Sequence, residues 1–181
     1  MFNMSEQSLL IGISQLAIVF SGLISVFIIF AARDGKFVPA ERQHVRGLLI
    51  SSFPAVIASL TPFAFQAYGA PEAWIWKGSA IVMLAFGIPM SVENFMHYLK
   101  LSKADKKENG YAHAIFSFVL NFIIGTQFVL TAFGVAAKAN YIVAILLTLL
   151  TGISSFVTFA WHRFLRVHET LPPAQSHDPT S

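Results

Sequence analysis

The sequence predicts an all-α integral membrane helical bundle of five transmembrane helices, N-terminus out and C-terminus in. Three observations carry that reading. Apolar residues make up 55% of the chain and charged residues only 12%, with a mean hydropathy of +0.64. An ordinary soluble domain has about 25% charged residues, so this chain has too little polar surface to cover its own core in water. Five stretches reach the roughly 20 apolar residues needed to cross the hydrocarbon of a bilayer. Finally, Lys and Arg alternate between the connections in a way that only an odd number of crossings explains.

The first stretch, 9–32, has no basic residue before it, and its apolar run exceeds the roughly 7–15 residues of a signal-peptide core. It reads as a retained helix. The second, 47–70, follows Pro39, which suits the first turn of a helix because its missing N–H would be unpaired there anyway. This helix is therefore expected to begin near Pro39 and carry Glu41, Arg42 and His44. The third stretch, 75–99, holds Pro89, then Glu93 and His97 one turn further on. The fourth and fifth are 112–137 and 141–165. The short connections around 71–74 and 138–140 make spans two and three, and spans four and five, antiparallel hairpins. Residues 1–165 form one domain, and the proline-rich 166–181 reads as a disordered cytoplasmic tail.

Orientation follows from the basic residues. Successive flanks hold 0, 4, 1, 4, 1 and 2 Lys or Arg, from the N-terminal segment through to Arg163 and Arg166. The basic sides belong in the cytoplasm. Tyr68, Trp74, Trp76 and Tyr141 then fall at the outer boundary, and Tyr98, Tyr111 and Trp161 at the inner one, as an interfacial aromatic belt would.

Several classes are excluded. Without cysteine there is no disulfide, thiolate metal site or thiol nucleophile. There is no GxSxG, no GxxxxGK[ST] and no GxGxxG opening a helix, so no catalytic residue is assigned and the reading leans away from an enzyme. Nucleic acid is not an expected partner, because topology alone accounts for the basic loops. The expected surroundings are the lipid bilayer and either further copies of the chain or a larger membrane partner. In overall form the chain resembles the small multi-pass proteins of bacterial inner membranes. That likeness rests on no motif and transfers no residue roles.

Candidate functional residues are the polar groups at membrane depth, which cost several kcal/mol unless they face protein or water. Glu93 is the one acidic residue clearly inside a span. It is expected to face the bundle, held by Arg46, by His97 or by water. Span five carries Thr148, Thr151, Ser155, Thr158 and His162 at spacings of three and four. Span four has a looser stripe through Ala114, Ser117, Asn121, Gly125 and Ala132. Close helix packing through small residues is the plainer explanation of these stripes. Folding span five back about Ala139 would bring His162 level with Ser117. Glu93, His97, Arg46, Asn121 and His162 are thus candidates for handling an ion or proton. His97, His113 and His162 are the candidate ligands of a metal or haem, imidazole being suited to zinc, copper, iron and nickel. Three functions follow: an ion-, proton- or solute-handling protein acting as an oligomer, an accessory or scaffold subunit, and a metal- or haem-dependent redox protein.

Overall fold

The computed structural model describes residues 4–33, 39–109 and 111–170. They form α1 (Met4–Arg33), α2 (Pro39–Ala67), α3 (Glu72–Lys100), α4 (Lys103–Asn109), α5 (Tyr111–Phe133) and α6 (Ala137–Thr170), with no strand among the described residues. Every helix except α4 is long and apolar enough to cross a membrane. α2 starts at Pro39, where the fixed proline φ suits a first helical turn. α6 continues five residues past the expected end at 165, to Thr170, and residues 171–181 of the expected tail lie outside the described residues.

α4 is an element beyond the five expected spans, but its start signal is in the sequence. The Ser102 hydroxyl accepts from the Asp105 N–H at 3.1 Å and donates to the Asp105 carboxylate at 2.6 Å. Ser102 is thereby the N-cap of α4. Lys106 then turns back, donating to the Leu99 carbonyl at 2.8 Å with its ammonium 5.7 Å from the Tyr98 ring centroid.

Both tight hairpins close in one way. α2 ends with Gly69 at φ +72°, the Gly69 N–H bonded to Gln66 O and the Ala70 N–H to Phe65 O. α5 ends with Gly134 at φ +84°, the Gly134 N–H bonded to Thr131 O and the Val135 N–H to Leu130 O. Each is a Schellman motif, which pairs carbonyls left over at a helix end and needs a residue tolerant of positive φ. The Lys77 side chain of α3 lies against Gly134, so a cation sits at the negative end of α5. The second hairpin therefore turns at 134–136, with Lys138–Asn140 already helical, and not about Ala139 as expected.

α2, α3, α5 and α6 form a ring in which each packs on its two neighbours, while α1 lies outside against α2 and touches α6. The two ends of the ring differ. At the end carrying both hairpins, Tyr141 and Trp76 are buried at 0% and 3% exposure, edge-on to each other at 5.7 Å, and Phe128 stands edge-on to Tyr141 at 5.5 Å. Edge-to-face packing suits the ring quadrupoles. Both rings thus point into the bundle at this end. The physical reason is in the backbone of α2. Pro62 has no N–H to bond the Ala58 carbonyl four residues back, and the Tyr141 hydroxyl donates to that carbonyl at 2.8 Å.

At the other end, Phe20 and Phe27 of α1 meet Phe156 and Phe159 of α6 in edge contacts of 5.4–5.6 Å, over Ile24 and Leu48. Outward faces are apolar, with Val19, Ile29 and Phe133 among the most exposed. Hydrocarbon as solvent makes such a surface ordinary, and it shifts the burden of holding helices together to close packing and hydrogen bonds.

Candidate functional site

Away from the aromatic plug the ring opens into a cavity of about 530 Å³, walled by α2, α3, α5 and α6. Pro54 and Pro89 interrupt the hydrogen-bond ladders of α2 and α3 in this half, and Pro54 itself lines the cavity. Gly87 and Gly125 face the space, and a Cβ at either would meet no atom within 4 Å. Much of the wall is apolar, including Met83, Ile88 and Phe122. Phe95 and Phe118, 5.6 Å apart and both exposed, bring α3 and α5 together on its outer side.

The polar stripes of α5 and α6 meet in this cavity. Ser117, Asn121 and Gly125 line it from one helix and Thr148, Thr151 and Ser155 from the other. Thr151 and Ser155 are also only 4% exposed, so close packing still accounts for much of the α6 stripe. It does so elsewhere too: Ala17 of α1 and Ala55 of α2 are fully buried against Leu149. Towards the mouth, Gln43 Nε2 donates to Asn94 Oδ1 at 2.9 Å, tying α2 to α3.

Among the described residues, His113 is the histidine that lines the cavity, and it joins α5 to α6. Its Nδ1 is 3.3 Å from Thr158 Oγ1 and its Nε2 is 3.4 Å from Ser117 Oγ. Thr158 already donates its proton to the Ser154 carbonyl at 2.9 Å. Its oxygen is placed to accept from the ring in the tautomer that carries the proton on Nδ1. The pairing of residues 113 and 158 also corrects the expected register. His162, one turn beyond Thr158, lies past the level of His113 and not level with Ser117. Its side chain lies outside the described residues.

Glu93 and Arg46 come together, Nη2 to Oε1 at 2.6 Å, across α3 and α2. His97 Nε2 is 3.9 Å from the same carboxylate oxygen. The expected inward orientation of Glu93 is not what is seen. Its side chain is 64% exposed and it is absent from the described cavity lining. The arginine reaches out from α2 to neutralise it at the bundle's edge. Asn121 is spent largely on its own helix, donating to the Ser117 carbonyl at 2.8 Å. Among the described residues, no three His, Asp or Glu side chains converge on a point where a metal could bind.

Most of these groups stand out in the sequence, but the cavity, the Gln43–Asn94 pair and the bridging role of His113 do not. The available signal was a proline and open glycines at matching depths of facing spans. No family model, no curated protein and no solved structure matches the chain.

Proposed function

We propose that this protein is a non-enzymatic, multi-pass membrane protein that binds and handles a small solute in the cavity between α2, α3, α5 and α6. The cavity is the observation that carries the reading. Its volume falls in the roughly 300–1,000 Å³ range of small-molecule sites, and its apolar wall with one polar edge has the usual composition of such sites. An ion or proton site at Glu93 has less support, because Arg46 already balances that charge. The alternation of basic residues supports a cavity mouth on the cytoplasmic side of a bacterial inner membrane. Movement across the membrane would require rearrangement of the Trp76–Phe128–Tyr141 plug or a path between copies in an oligomer.

The test fills the cavity without disturbing its frame. Gly87→Leu and Gly125→Leu place side chains into open space. Native mass spectrometry of protein released from its own membranes should show wild type carrying a small molecule that both variants lose, with melting temperatures unchanged. A wild type that carries nothing, or variants that carry the same load, would overturn the proposal.

A further inference from the structure

We infer that the ligand of the cavity is the acyl chain of a membrane lipid, admitted sideways from the bilayer through the seam between α3 and α5. This rests on the cavity reading above and names the ligand class and its route.

Two outward stripes meet at that seam. Ile81, Ile88, Val92, Phe95 and Leu99 recur at helical spacing on α3, and all are exposed. Ile115, Phe118, Phe122 and Val129 do the same on α5. The middle members of both stripes, Ile88, Val92 and Phe95 on one helix and Ile115, Phe118 and Phe122 on the other, also line the cavity. The end members Ile81, Leu99 and Val129 do not. One set of side chains is therefore lipid face and cavity wall at once.

The seam has a definite height. Near the plug, α3 and α5 share the core that holds Met83, Ile124 and Phe128. Nearer the mouth, Phe95 and Phe118 meet at 5.6 Å. Between these contacts Gly87 and Gly125 leave open space, since a Cβ on either would meet no atom within 4 Å. Ile88 is 12 residues short of Lys100, and Phe122 is 11 past Tyr111. Each lies roughly 16–18 Å along its helix from the polar end. That is about half of the roughly 30 Å of hydrocarbon, so what stands against the seam is lipid chain and not water.

The lining suits such a chain. It contains no Asp, Glu, Lys or Arg among the described residues. Its polar groups, donors and acceptors alike, are uncharged. Gln43, Asn94 and Tyr98 stand towards the mouth, where Gln43 and Asn94 bond each other. Thr148, Thr151 and Ser155 belong to α6. Ser91 and Asn121 adjoin the seam in sequence, and Asn121 donates to its own helix at Ser117 O. A chain entering at mid-depth thus desolvates no charge. An apolar void beside fluid hydrocarbon forfeits dispersion contacts that the chain restores. A water-borne solute would have to come by the other route, past Gln43 and Asn94.

The chain has no cysteine, so single cysteines can carry a fluorophore. Gly125→Cys places a bimane in the open space, and Val119→Cys, exposed and outside the cavity lining, gives a lipid-facing control. The full chain is reconstituted in vesicles of phosphatidylcholine brominated midway along its acyl chains, with iodide as the aqueous quencher. Bromine should quench the Gly125 site about as strongly as the Val119 site, and iodide should quench neither. Phe95→Ala, which widens the seam, should raise bromine quenching at the Gly125 site and leave the Val119 site unchanged. A phenylalanine that only supports packing would not move the two sites differently.

Quenching of the Gly125 site by iodide and not by bromine would overturn the inference and leave the cavity as a site for a water-borne solute. Quenching by neither would mean a closed bundle, and both readings fall. Bromine quenching that fades as the vesicles are loaded with more protein would mean that copies of the chain cover the seam, which also overturns the inference. Gly87→Cys, equally open, repeats the measurement should Gly125→Cys not fold.

Discussion

The Tyr141 hydroxyl and the Ala58 carbonyl are bonded at 2.8 Å across α6 and α2, and Ala58 is the residue that Pro62 leaves without a helical donor. A proline inside an apolar helix is tolerated where a neighbour pairs the freed carbonyl. Tyr141→Phe should therefore cost about 1–2 kcal/mol, the price of an unpaired buried carbonyl. In a Pro62→Ala background the restored N–H at position 62 pairs the same carbonyl. The cost of Tyr141→Phe should then fall to a few tenths of a kcal/mol by the same bookkeeping. Thermal unfolding in detergent of the four proteins completes the cycle. Equal costs in the two backgrounds would show that tyrosine and proline are not coupled.

Arg46 and Glu93 call for a different magnitude. The carboxylate is 64% exposed but lies within the span of α3, where hydrocarbon screens the pair far less than water would. Arg46→Met, Glu93→Gln and the double variant should give a coupling energy above the roughly 1 kcal/mol ceiling of water-exposed ion pairs. Solute retention should survive Glu93→Gln, because Glu93 does not line the cavity. Loss of retention with unchanged melting would instead return Glu93 to the centre of function.

The parts of the fold that were legible in the sequence are those fixed by composition and local chemistry. Apolar run length and the basic alternation identified five long helices, and Pro39 marked the start of α2. Gly69 and Gly134 set the hairpin pivots, but the second was misread because Lys138–Asn140 looked more polar than Gly134–Ala136. That offset carried His162 to the wrong level. The inward packing of Tyr141 and Trp76 is not legible in the sequence. An aromatic near a span's end suits the interface or a wet core equally, and only Pro62, 79 positions away, decides for Tyr141. The cavity was illegible because polar stripes look the same whether helices meet or part.

Glu6 of α1 and Lys138 of α6 form an ion pair at the plugged end of the bundle. The two partners are unequally covered, the glutamate side chain 11% exposed and the lysine 45%. Removing the lysine takes a cation from the more enclosed partner, whereas removing the carboxylate leaves an ammonium that can turn to water. Lys138→Met should therefore be the more damaging change, by about 1 kcal/mol or more relative to Glu6→Gln. Comparable melting temperatures for the two variants, or the reverse order, would contradict this. α1 contacts only α2 extensively, so the damage should appear first as faster proteolysis within α1.

Gly152 of α6 packs against Ser51 and Ser52 of α2. A Cβ on Gly152 would stand 3.4 Å from the Ser51 Cβ and 3.6 Å from both Ser52 Oγ and the Phe20 ring. Those are ordinary contacts, so Gly152→Ala should fold with little change. Gly152→Leu extends several atoms into the same gap and should cost about 1–3 kcal/mol by forcing α2 and α6 apart. Ser52 carries the opposite sign. It is 2% exposed and its hydroxyl has no hydrogen-bond partner, so the native residue bears a desolvation cost that alanine would not. Ser52→Ala should be neutral or stabilising by up to about 1 kcal/mol. The paired readout is the melting temperature of Ser52→Ala alone and combined with Gly152→Ala. A marked loss in Ser52→Ala would mean that the hydroxyl is bonded in the membrane, by water or by a carbonyl of its own helix.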